Sequence, residues 1–250
     1  MPARSEKISI PVDDQQIAGT FVAAQSKNLP GVLFAHGWGG TQEQCLAPAR
    51  LAADRGCACL TFDFRGHGRT FDQRIQVTRE DNLRDSLAAY DVLASRPEVD
   101  PKAIAIIGFS YGGYLAAITT TLRPVSALAL RAPAIYRDAN WNLPKLKLHE
   151  DPELVLYRRR PVSWDDNRAL LACVAFAGDV LIVASELDEV VPAPVSESYA
   201  AAFTHARSLI SHVIAGADHA LSDERLHREY TARLVDWLTK VMIKRGPYAN

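Results

Sequence analysis

Gly108-Phe-Ser-Tyr-Gly112 puts a serine between two glycines, after the apolar run 104–107 and before 114–118, a segment of helical character. A strand that turns sharply into a helix strains the residue at the turn. It also brings neighbouring backbone too close for side chains, which is why glycines flank the serine. Ser110 would then stand clear of a sheet at the positive end of the following helix, placed for nucleophilic attack. A hydroxyl is a weak nucleophile until a base takes its proton. Of seven histidines, His219 in Gly216-Ala-Asp-His-Ala220 follows the apolar run 209–214, so it should emerge at the carboxyl edge of the sheet beside Ser110. His36 sits in Gly37-Trp38-Gly39-Gly40 and suits another role. His67 lies in a polar turn, and His149, His205, His212 and His227 fall in an insertion, a loop, a strand interior and a helix.

A carboxylate to hold the imidazole should follow a strand lying between serine and histidine in the chain. Run 180–185 is that strand, and Asp188 in Glu186-Leu-Asp188-Glu-Val-Val-Pro192 is the candidate. Glu186 and Glu189 read as solvated charges, and Asp179 enters the strand at its other end. Acyl transfer also needs hydrogen-bond donors for the developing oxyanion, each contributing on the order of 3 kcal/mol. The backbone N–H of Tyr111 is one candidate. The N–H of Trp38, in the glycine-rich loop after run 31–36, is the other.

Holding these loops at one edge requires a sheet of a particular kind. Segments 7–12 and 17–24 alternate apolar and polar residues around Asp13-Asp14, as an opening hairpin does. Runs 31–36, 57–63, 103–109, 125–130, 180–185 and 209–214 are short and mostly continuously apolar, the pattern of strands buried on both faces of a parallel sheet. Between them Leu83, Leu87, Tyr90, Leu93 and Ala94 recur at helical intervals, with Thr78 and Asp81 as a start and Pro97 as a stop. A last helix is predicted over 222–240 with Leu226, Tyr230, Leu234 and Trp237 inward. Strands alternating with helices predict an α/β fold, a doubly wound, mostly parallel sheet with helices on both faces. Segment 132–165 breaks the alternation with four prolines, the aromatic residues Tyr136, Trp141, Tyr157 and Trp164, and the basic run Arg158-Arg159-Arg160, and it reads as a small lid insertion. One domain over 1–250 is expected.

With 28 basic and 29 acidic residues the formal charge is −1, so no overall field gathers nucleic acid or an anionic membrane. No apolar leader or membrane-length run appears, and a cytoplasmic location is the expectation. The four cysteines, Cys45, Cys57, Cys59 and Cys173, lack zinc spacing and read as buried small hydrophobes. No metal is expected.

Taken in order, His36-Gly-Trp-Gly-Gly40, Asp63-Phe-Arg-Gly-His-Gly68, Gly108-Phe-Ser-Tyr-Gly-Gly113, Asp188 with Val190-Val-Pro192, and Asp218-His219 resemble the α/β-hydrolase family. Within it the chain is most similar to small-lid esterases and to dienelactone-hydrolase-like or serine-aminopeptidase-like members. The resemblance spans about 8–238 and implies the α/β-hydrolase fold. It also implies that Asp63 and Arg65 shape the nucleophile loop without touching substrate.

The expected activity is hydrolysis of carboxylic esters of small to medium size by Ser110, His219 and Asp188, without a cofactor. A small-molecule ester is the expected partner, with no role for nucleic acid or membrane, and the oligomeric state is left open. Arg158, Arg159 and Arg160 are candidates for a substrate carboxylate, and Tyr136, Trp141 and Trp164 for an acyl or alcohol pocket. Peptide or amide hydrolysis by the same three residues is the alternative, and a non-catalytic binding module on the same fold is a third reading.

Overall fold

The computed structural model describes residues 3–243, so 1–2 and 244–250 of the expected 1–250 unit lie outside the described residues. Its strands are β1 (Arg4–Val12), β2 (Gln15–Ala23), β3 (Leu29–Ala35), β4 (Ala58–Phe62), β5 (Val99–Phe109), β6 (Ala127–Arg131), β7 (Asp179–Ser185) and β8 (Ser208–Ile214). They form one sheet in the order β1-β2-β4-β3-β5-β6-β7-β8. β1 and β2 form an antiparallel hairpin, β2 meets β4 antiparallel, and from β4 to β8 every pairing is parallel.

Parallel neighbours need crossovers, and helices supply them: α1 (Glu43–Asp54), α2 (Arg79–Ala94), α3 (Tyr111–Thr119), α4 (Pro152–Arg158), α5 (Arg168–Ala175), α6 (Ala193–Ala202) and α7 (Glu224–Leu238). The period-two alternation of a strand sends Leu33 and Ile106 to one core and Val32, Phe34 and Ile107 to the other. α2, α3, α5 and α6 cover the first face, while α1 and α7 cover the second, with Leu226, Tyr230, Leu234 and Trp237 inward. Both faces being covered explains why these strands are continuously apolar. α2 starts with the expected cap: Thr78 Oγ accepts from the Asp81 N–H, and the Asp81 carboxylate accepts from the Thr78 N–H. Cys45, Cys57, Cys59 and Cys173 are buried. Among the described residues no helix is long and apolar enough to cross a membrane.

One expectation needs correction. β8 is not buried on both faces: among the described residues it is the last strand of the sheet, and Leu209, Ile210 and Val213 are 39%, 49% and 56% exposed. Segment 132–165 is inserted between β6 and α5 and is anchored to the start of α2. Its Pro144 bridges to Thr78, and the Lys145 N–H donates to Val77 O at 2.8 Å, pinning it beside the start of α2. Tyr136, Leu148, Leu154 and Tyr157 then pack into the core on the α2 and α3 face. Tyr136 and Tyr157 thereby hold the insertion to the body.

Candidate active site

Ser110 sits between β5 and α3 at φ 50°, ψ −112°, a conformation that costs a non-glycine residue about 1–3 kcal/mol. Three hydrogen bonds hold it there: its N–H donates to Arg131 O at 2.9 Å, and its C=O accepts from Ala134 at 2.9 Å and Tyr114 at 3.1 Å. A Cβ on Gly108 would stand 2.4 Å from the Gly113 Cα, and one on Gly112 would stand 2.3 Å from Ala35 O. Both contacts are with backbone, so neither position admits a side chain while the turn keeps its shape.

β7 and β8 deliver the partners from the same edge. His219 Nε2 lies 3.1 Å from Ser110 Oγ, and Nδ1 lies 2.8 Å from Asp188 Oδ2. A carboxylate only accepts, so Nδ1 carries the proton and the Nε2 lone pair faces the hydroxyl. The Asp188 side chain is 3% exposed, and its other oxygen accepts from the Val190 and Val191 N–H groups at 3.0 and 2.7 Å. Those bonds aim the carboxylate at the imidazole. Glu186 is turned away, its carboxylate accepting from the Gly216 N–H at 2.7 Å, while Asp179 pairs with Arg207 and Ser208 at the start of β7.

The glycine-rich loop after β3 comes in from the other side. Gly37 lies against the nucleophile turn, where a Cβ would come into van der Waals contact with Phe109 O and Ser110 Cβ, each at 3.4 Å. As the first residue of α3, Tyr111 has an N–H with no acceptor inside the helix. Two histidines brace the loop. His36 Nδ1–H donates to Gly37 O at 2.8 Å, and its Nε2 accepts from the Phe64 N–H at 3.1 Å. His67 Nε2 accepts from the Gly39 N–H at 3.1 Å. An Nε2 that accepts is unprotonated, so both rings are neutral. Burial pushes His36 down to about 4, and burial followed by the neighbouring His36 pushes His67 down to about 3. Asp63 accepts from the Gln42 backbone at 2.7 Å and from its side chain at 3.0 Å, and Arg65 pairs with the buried Asp85 at 2.6 Å. Asp63 thus ties the turn after β4 to Gln42 at the end of the glycine-rich loop, and Arg65 ties it to α2.

A cavity of about 560 Å³ opens beside Ser110, between Trp38, Gln44, Phe109, His219, Leu221 and Tyr230. The side chains proposed from sequence to hold substrate do not line it. Tyr136 is buried, Trp141 is half-buried and donates to Glu80, and Trp164 is 50% exposed. Arg158 is buried and donates to Ile135 O and Val190 O, while Arg159 and Arg160 are exposed. Arg158 and Arg159 instead border a second cavity, also about 560 Å³, on the other side of Asp188. The reason is the placement of the insertion, which packs on the α2 side of the sheet whereas the Ser110 cavity opens between α1 and α7.

Sequence reasoning missed Arg131. Its buried guanidinium donates through Nη2 to Ser185 Oγ at 2.6 Å, to His219 O at 3.2 Å and to Asp218 O at 3.3 Å, while Ser185 Oγ donates to Asp218 O at 2.6 Å. These bonds tie the ends of β6 and β7 to the backbone of the histidine loop. A charged residue closing the apolar run Ala127-Leu-Ala-Leu-Arg131 was the available signal. Among the described residues no group of three or more His, Cys, Asp or Glu side chains is placed to hold a metal ion.

Known proteins match both the architecture and the sequence. Over 224 residues the chain is 27% identical to an uncharacterised protein of Mycobacterium tuberculosis, covering 88% of this chain and 73% of that one. Dienelactone hydrolase from Anabaena variabilis superposes with a TM-score of 0.69 at 17% identity, over 97% of this chain and 100% of that one. Acylaminoacyl peptidase from Pyrococcus horikoshii does so with a TM-score of 0.72 at 17% identity, over 99% of this chain and 43% of that one. At such identities the likeness is one of fold, the α/β-hydrolase fold. Residues 46–245 match the prolyl oligopeptidase family, and the chain belongs to that family of hydrolases.

Proposed function

We propose that the protein is a serine hydrolase that cleaves carboxylic esters of small to medium size through an acyl-enzyme on Ser110. The observation that carries this reading is the hydrogen-bonded line from Ser110 Oγ to His219 to Asp188, at 3.1 and 2.8 Å, beside an open cavity. His219 Nε2 takes the hydroxyl proton as Oγ bonds to the ester carbonyl carbon. The oxyanion that forms accepts from the Tyr111 and Trp38 N–H groups. The bond to the alcohol then breaks, and His219 returns the proton to the departing oxygen. Water attacks the acyl-enzyme by the same route, giving its proton to His219 and releasing the acid and Ser110.

An ester is favoured over an amide because its leaving group departs more readily, and likeness to a dienelactone hydrolase supports that preference. Amide or peptide hydrolysis by the same residues is the second reading, favoured by membership of the prolyl oligopeptidase family and by likeness to an acylaminoacyl peptidase.

Intact-protein mass spectrometry after fluorophosphonate treatment tests the common core. One adduct is expected on the wild type and none on Ser110→Ala, and a wild type that stays unlabelled sinks the reading. Turnover of matched p-nitrophenyl esters and p-nitroanilides then separates ester from amide specificity.

A further inference from the structure

Lys145, from the insertion, is 0% exposed. Its Nζ stands 4.5 Å from the ring centre of Trp38, 5.0 Å from that of Tyr111 and 4.7 Å from that of Tyr136. It also hydrogen-bonds the Tyr136 hydroxyl. The first two rings belong to the residues whose main-chain N–H groups are assigned above to the oxyanion.

We propose that Lys145 is a positioning residue of the oxyanion hole, holding Trp38 and Tyr111 by a buried cation–π cage. This rests on the serine hydrolase reading. An ammonium on an aromatic face contributes most where water is excluded, as it is here. The two rings also meet each other edge to face at 5.5 Å and 88°, so one cation constrains both. Trp38 is held on its other sides by the edge of His67 at 4.7 Å and by the Arg74 guanidinium at 4.6 Å, and the Tyr111 hydroxyl donates to Asn82 at 3.1 Å. Lys145 is the point at which the insertion enters this frame. Its own backbone is anchored to Val77, so the cage is fixed relative to α2 as well.

The same arrangement accounts for Tyr136, Trp141 and Arg158 of the insertion, which do not line the cavity. Tyr136 carries Lys145 on its face and Arg158 at 4.8 Å, and Trp141 carries Arg79 at 5.0 Å and Arg168 at 3.9 Å. The insertion acts on the reaction from behind the oxyanion loop. Displacing a catalytic group by about 1 Å costs about a hundredfold in rate, so loosening this frame should be felt in kcat.

The test compares wild type with Lys145→Met, Lys145→Arg and Tyr136→Phe, using p-nitrophenyl butyrate and normalising turnover to sites titrated by fluorophosphonate. Phenylboronic acid serves as the probe of the hole, since its tetrahedral adduct on Ser110 places an oxygen there. Lys145→Met should lower kcat at least tenfold with KM within threefold, and weaken boronate inhibition by a similar factor. Lys145→Arg, which keeps the charge, should recover part of both losses. A role in packing alone would lower the melting temperature and leave kcat per titrated site and boronate affinity within twofold of wild type, and that result overturns the proposal. If Lys145→Met does not fold, Tyr136→Phe decides: boronate inhibition weakened at least threefold at unchanged KM supports the proposal, and unchanged inhibition overturns it. A wild type that neither labels nor turns over removes the hydrolase reading itself, a failure visible before any variant is compared.

Discussion

Acid should unfasten the glycine-rich loop after β3 through His36. Burial holds this ring's pKa down to about 4 against 6.5 when unfolded, and its Nε2 is occupied as an acceptor by the Phe64 N–H. The nearest carboxylate, Asp63 at 4.0 Å, is already engaged by Gln42. A depressed folded pKa makes the unfolded chain bind more protons, so the ring's contribution is complete above pH 6.5 and is lost as pH falls towards 4. Between pH 7 and pH 5 the loss integrates to about 2 kcal/mol. With a urea m-value of about 3 kcal/mol/M, the midpoint should fall by roughly 0.6 M from this ring alone. Other groups titrate over the same range, so the measurement is a difference. Urea unfolding of wild type and His36→Gln is followed at both pH values, because glutamine offers an oxygen to the Phe64 N–H and does not titrate. The wild type should lose about 2 kcal/mol more than the variant on acidification. Equal losses in the two proteins would refute the argument that His36 is a buried neutral acceptor.

Asp188→Asn, which removes the acceptor for Nδ1–H, should leave the fold intact and lower kcat by about four orders of magnitude, as read in single-turnover ester hydrolysis. Gly112→Ala drives a methyl against Ala35 O at 2.3 Å, so chemical unfolding should show at least about 2 kcal/mol of destabilisation and fluorophosphonate labelling should slow sharply. Arg131→Met keeps the stem but releases the Asp218 and His219 carbonyls; the rate constant for fluorophosphonate labelling should fall at least tenfold while thermal unfolding remains cooperative.

Local physics made much of this protein legible in its sequence. Six apolar runs and a capping pair at Thr78 and Asp81 follow from local patterning, and Gly108 answers to the nearby Gly113, whereas Gly112 answers to Ala35 O on β3. The order of the loops that follow the strands was enough to nominate Ser110, Asp188 and His219, because parallel strands deliver their carboxyl ends to one edge. What a long segment packs against is a different kind of fact. Tyr136, Trp141 and Arg158 have the composition of a substrate pocket, and only the pinning of Pro144 and Lys145 to the start of α2 turns them away from the cavity. The same holds for Arg131 and for the Nε2 atoms of His36 and His67, whose partners lie 28 to 88 residues away in the chain. Periodicity reports which residues face a core. Which of two cores, and which distant backbone atom a buried polar group will meet, is decided when the sheet closes and every such group must find a partner at once.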